Sequence, residues 1–324
     1  MREFDRSRLL IRKLAERNSK TNLSKIILPS AKAPKIRKIV FSKLENIAQS
    51  ILNAKLNKSP IIFSMGAHLI KNGLSMVFIE LMKMGYVQYA LGNEAVAIHD
   101  WELAYHGETE EDVRGYLSKG QSGLWDETGR YINKAIKLGN GINLGYGESV
   151  GKFIAEDGIG ETRVRHIHKE ISVLGEAYKL GIPFGIGASI GENIIHMHPE
   201  CDGAAIGETS YRDFLGFVNV LENLEGGVYI SIGSAVKSPM IFEKALSMAR
   251  NVVLQEEKSL DDYYIIVNDI QPSPWNWKRG EPPKDNPAYY LRFFKTFQRM
   301  GGRCDYVELD NRVFLHNLYH LLKN

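Results

Sequence analysis

From Pro60 onward, short apolar runs alternate with longer stretches of helical period, and the runs end in small or ionisable residues. Ile61-Ile-Phe-Ser-Met-Gly66 leads into Ala-His68-Leu-Ile-Lys71, and Tyr89-Ala-Leu-Gly-Asn93 leads into Glu94-Ala-Val-Ala-Ile-His99-Asp100-Trp-Glu102. A strand buried on both faces reads as a continuous apolar run and can carry polar groups only at its ends. The pattern therefore predicts a parallel sheet whose carboxyl edge holds a ligand site. Strands are predicted over residues 61–64, 86–91, 182–186, 228–232, 263–270 and 306–309, with helices between them, as in repeated βαβ units. The expected fold is α/β: a doubly wound, mostly parallel, Rossmann-like sheet with helices on both faces.

Ahead of this body, residues 1–40 are polar and interrupted by Pro34, and residues 38–55 have the period of an amphipathic helix. The division expected is a basic arm and helix over 1–59 and an α/β domain over 60–324. Ser238 followed by Pro239 marks one helix start, and Trp275 to Pro283 is an irregular insertion of the kind that forms lids or interfaces.

Charge changes the picture only at the arm. Residues 1–60 hold 15 Lys or Arg against 4 Asp or Glu, a surplus of 11 that leaves −8 on the remainder of a chain whose net charge is +3. The arm has few aromatics to stack bases and no nucleic-acid motif, so it reads as solvated or docked on an acidic neighbouring subunit. Cys201 and Cys304 are too few and too distant for a disulfide framework, no apolar run reaches the roughly 18 residues of a membrane span, and no secretory leader is evident. A cytoplasmic protein without membrane or nucleic-acid partners is expected.

The densest polar cluster runs from Gly185 to Glu208 and contains Glu192, His196, His198 and Asp202. Gly185-x-Gly187 is half of a dinucleotide fingerprint without its third glycine. His196, His198 and Asp202 can be read as structural groups, as a polar pocket that binds or protonates substrate, or as metal ligands. No helical His-x-x-x-His pair stands in this stretch, and no metal is assigned. His99 with Asp100 reads either as an Asp-oriented histidine facing a ligand or as a histidine beside a helix-capping acid. Lys237, after the Gly233 turn, is either an anion-binding cation or a surface lysine.

Gly66-Ala-His-Leu-Ile-Lys-Asn-Gly73, Asn93 through Glu102, Gly107-Glu-Thr-x-Glu-Asp112, Ile182-Pro-Phe and Gly233-Ser-Ala-Val-Lys237 together resemble the deoxyhypusine synthase family, in particular its bacterial deoxyhypusine-synthase-like branch, over about residues 60–320. The resemblance implies a homotetramer and an NAD-dependent transferase. A polyamine such as spermidine is oxidised, captured as an imine by an enzyme lysine, and its aminobutyl group passed to a protein lysine or a free diamine. Lys295 stands where the family has its nucleophile, with Phe293 and Phe294 as apolar surroundings. Asp310 stands in the segment that touches NAD. Gly66, Asn93 and Asp100 are assigned to the cofactor, Glu192, His198, Asp202, Glu208 and Lys237 to the substrate, and His99 and His196 to proton transfer. Two departures are visible: Asn93-Glu94-Ala95-Val96 replaces the family's glycine-rich NAD turn, and carboxylates that hold the polyamine cation are missing around Lys295. They leave open two other readings, His and acid chemistry on an anionic small molecule using His68, His99, His196, His198 and Lys237, and a non-catalytic ligand-binding relative.

Overall fold

A computed structural model describes residues 3–323, apart from the side chains of Lys278, Arg292 and Phe293. The apolar runs pair as six parallel strands: β1 (Ile61–Met65), β2 (Tyr89–Asn93), β3 (Phe184–Gly187), β4 (Val228–Ile232), β5 (Tyr264–Asp269) and β6 (Arg303–Glu308), in the spatial order β6-β5-β4-β1-β2-β3. Chain direction across the sheet reverses between β1 and β4. That is the topological switch point of a doubly wound, Rossmann-like sheet, where adjacent connections leave in opposite directions and open a crevice.

Every residue of β1 and β4 is buried, as expected of central strands covered on both faces. One face is covered by α1 (Lys38–Leu56), α2 (Ser75–Lys83) and α10 (Asn311–Lys323), and the other by α7 (Gly203–Leu221), α8 (Lys237–Gln255) and α9 (Arg292–Gln298). Aromatic pairs lock each layer: Phe63 meets Phe78 edge-on at 5.3 Å, and Tyr229 stacks on Phe242 at 4.1 Å. The predicted sixth strand began three residues late, because Arg303, Cys304 and Asp305 do not read as apolar. β6 is an edge strand, where charge is tolerated and discourages edge-to-edge pairing.

The chain between β2 and β3 is a helical layer built from α3 (Glu94–His106), α4 (Asp126–Asn140), α5 (Tyr146–Ala155) and α6 (Val173–Leu180). The basic arm lies on this layer of its own chain, rather than in solvent. Its strand Ser19–Asn22 pairs antiparallel with Glu108–Glu111, Leu14 is buried, and the Arg17 guanidinium donates to both Glu102 carboxylate oxygens at 2.7 and 2.8 Å. Among the described residues no helix is long and apolar enough to cross a membrane.

Candidate functional site

The switch point opens into a crevice of about 320 Å³ at the carboxyl ends of β1, β4, β5 and β6, with a mostly apolar lining edged by His68, Asn72, Asn268, Asp269, Asp310 and Asn311. Its floor depends on two glycines. Gly66 donates its amide to Ile232, and a Cβ placed on Gly66 would lie 2.2 Å from the Gly233 carbonyl oxygen, so the two βα turns touch backbone to backbone. Gly233 has φ +57° and borders the crevice, with Asn311 the nearest group to a Cβ there.

Asn268 ends the apolar run of β5. Its Nδ2 donates to the carbonyls of Val307 and Leu309 at 3.1 and 2.8 Å, tying β5 to β6. Exchanging the amide's O and N would set an oxygen against two carbonyls, so Oδ1 faces the other way. It is buried with no hydrogen-bond partner among the described residues. Asn72 donates to Asn311 Oδ1 at 2.8 Å across the mouth. Asp310 accepts from the Arg312 backbone and pairs with its guanidinium at 2.7 Å, which holds its carboxyl below the ordinary carboxylate range. Partial burial and the Lys71 cation lower the His68 pKa, with Glu110 and Asp269 opposing. The imidazole is therefore neutral at pH 7 and offers a lone pair.

A second polar chain runs beneath the arm. Thr109 donates to Glu102 at 2.6 Å, so the 2.6 Å contact between His99 Nδ1 and Thr109 Oγ1 is one in which the imidazole donates. Burial pushes the His99 pKa down to about 4. Glu102 also accepts from Thr128 at 2.7 Å, which leaves Arg17, Glu102, Thr109 and His99 as one connected unit. Nothing places His99 in the crevice lining.

The other residues singled out by sequence have structural tasks. Asn93 caps α3 by accepting from the Val96 amide at 3.2 Å, so this helix start already carries its own acceptor. Glu94, fully buried, accepts from the Ser189 amide (3.0 Å), Asn193 (2.9 Å) and His196 Nε2 (2.9 Å), while His196 Nδ1 accepts from the Gly191 amide at 3.1 Å. Glu94 and His196 thus clamp the loop after β3 with both imidazole nitrogens used. Asp100 caps α6, accepting from Ser172 and the amides of Val173 and Leu174, and burial raises its pKa to about 6. Asp202 caps α7 through the amides of Ala204 and Ala205. His198 packs against Gly129 and accepts from the Glu200 amide, and Glu208 is a surface partner of Asn140 and Arg212. Glu192 and Lys237 meet each other at 2.7 Å.

Lys295 does not line the crevice. Its ammonium sits 3.6 Å from the centre of the Tyr289 ring and 3.8 Å from Glu281. Phe294 is buried beside Trp277, whereas the Phe293 side chain lies outside the described residues. Of the residues singled out from sequence, His68 and Asp310 line the crevice, Gly66 touches its border at Gly233, and the others stand elsewhere. Asn268, Asp269, Asn72 and Asn311 were passed over. The available signal was the polar pair ending the run Tyr264-Ile-Ile-Val-Asn268-Asp269.

No protein-family model and no curated protein sequence matches the chain. Several solved structures are similar in fold. AgrE, unliganded, aligns with a TM-score of 0.54 at 18% identity over 90% of this chain and 34% of its own. Its ternary complex with ornithine and NAD+ gives 0.52 at 17%, over 89% and 34%. ArgZ, an arginine dihydrolase of the ornithine-ammonia cycle in Cyanobacteria, gives 0.50 at 18%, over 90% and 33%. A conserved LOR/SDH-type protein of Methanococcus maripaludis S2 gives 0.51 at 14%, over 92% and 73%. The chain spans about a third of the length of AgrE and ArgZ. At these identities the likeness is one of fold. None of these comparisons shows membership in the deoxyhypusine synthase family.

Proposed function

We propose that the chain is an NAD-dependent enzyme whose switch-point crevice holds the dinucleotide beside a small amine-bearing substrate. The observation that carries this reading is the coincidence of the doubly wound strand order with a polar-edged crevice at its reversal. AgrE, which shares the fold, has been solved with ornithine and NAD+, and that supports the proposal by analogy of scaffold.

The residues present suit a dinucleotide. Asp269 offers a carboxylate for ribose hydroxyls or for an ammonium group, with the Asp310–Arg312 ion pair beside it. The backbone at Ser234 and Ala235 precedes the start of α8, where amides favour phosphate. The Glu94 carboxylate, in the segment that replaces the glycine-rich turn, is turned into the loop after β3. When bound, NAD would supply the hydride acceptor. His68, at the exposed rim of the crevice, would take the proton that the substrate nitrogen loses.

The polyamine version, aminobutyl transfer by a cytoplasmic homotetramer, adds spermidine as donor and an amine acceptor. It needs a lysine at the crevice. Lys295 rests on Tyr289, so the geometry favours the redox half of the reaction over the transfer half.

NADH fluorescence on binding, followed by NADH formation from NAD+ with ornithine, spermidine and related amines, tests the proposal. Ala235→Trp fills the crevice. Wild-type protein is expected to bind NADH and the variant to lose binding at unchanged melting temperature. Absence of binding to the wild type, or equal binding by the variant, overturns the reading.

A further inference from the structure

Helix α10 carries His316 and His320 one turn apart, the spacing that puts two side chains on one helix face. Their Nε2 atoms stand 3.3 Å from each other, and His320 Nε2 stands 2.9 Å from the carbonyl oxygen of Ala31. Two imidazole nitrogens bound at ordinary lengths to one tetrahedral ion are separated by about 3.3–3.4 Å, so the pair already has the bite of a chelate. Two facing imidazoles can share only one proton between them. Without an ion the His320 Nε2–H donates to the Ala31 carbonyl; an ion between the nitrogens needs His320 in its other tautomer, with the proton on Nδ1, and then takes both lone pairs.

The surroundings fix this arrangement. His316 is buried beside His320, whose Nε2 also faces the Ala31 carbonyl. Asn317, on the same helix, donates to the carbonyl of Pro34 at 3.0 Å and holds the chain around Ala31 against α10.

We propose that His316 and His320, with the Ala31 carbonyl, bind a divalent late transition-metal ion, water completing the shell. No group of three or more His, Cys, Asp or Glu residues is found there among the described residues, so the affinity rests on two nitrogens and follows the order in which Cu²⁺ exceeds Zn²⁺. The ion fastens the N-terminal segment to α10. It is independent of the dinucleotide reading, although the first turn of α10 supplies Asn311 to the crevice.

The test uses the full chain without a histidine tag, stripped with chelator. Cu²⁺ titration by electron paramagnetic resonance is expected to show one tight ion per chain with superhyperfine coupling to two nitrogens, and Zn²⁺ to raise the melting temperature. His320→Gln, which can still donate to Ala31, and His320→Ala are each expected to weaken Cu²⁺ binding at least tenfold and to abolish the Zn²⁺ shift. Wild-type binding no tighter than that of either variant, or a spectrum without two coupled nitrogens, overturns the proposal.

Discussion

The loop after β3 and the crevice between β1 and β4 carry similar residue types and differ in how their hydrogen bonds are filled. In the loop, Glu94 takes three donors and His196 uses both ring nitrogens, so the cluster is closed on itself. At the crevice, His68 keeps an open lone pair beside Asp269, and behind the lining the buried Asn268 Oδ1 lacks a partner among the described residues. A polar cluster that satisfies itself is a fastener. One left unsatisfied at the end of buried strands is where a ligand contributes most, because buried polar atoms without partners are costly.

Breaking the fasteners gives the largest effects. Arg17→Ala strands the buried Glu102 carboxylate and is expected to destabilise the fold by about 3–5 kcal/mol in denaturant unfolding, with the arm strand detaching. Glu94→Ala removes the acceptor for Ser189, Asn193 and His196 and is expected to cost about 1–3 kcal/mol, without changing NADH affinity if the loop is structural.

The pH response sharpens the contrast on a smaller scale. His99 binds its proton less readily folded, near 4, than unfolded, near 6.5, so its neutral form contributes stability that is present above about 6.5 and lost as pH falls toward 4. His99→Gln lacks this loss. Its melting temperature relative to wild type is expected to rise as pH is lowered through that window, and a constant difference would contradict the assignment of a buried neutral imidazole. The smallest effect is expected for Lys295→Ala: unchanged NADH binding, since its ammonium rests on Tyr289 outside the crevice.

The architecture was legible because burial on both faces leaves a direct mark, as in Ile61–Met65 and Val228–Ile232. The edge strand β6 was legible only in its last residues, since an edge tolerates Arg303 and Asp305. The site was harder to read. Residues 185–208 are dense in histidine and acid, and Asp202 caps α7 locally, yet sequence does not show that Asp100 caps α6 from another helix or that Glu94 reaches across to His196. Partners separated by roughly a hundred positions meet only through the tertiary fold. Asn268 had a local mark, a carboxamide closing an apolar run, but its meaning depended on β6 lying alongside.

Hydrogen exchange of the backbone amides with and without NAD+ tests the central claim most directly, because it reports where the dinucleotide sits. The account predicts slowed exchange at residues 66–72, 233–237, 268–271 and 309–312, at the ends of β1, β4, β5 and β6. Protection confined to the loop at residues 188–198, or none anywhere at saturating NAD+, would contradict it.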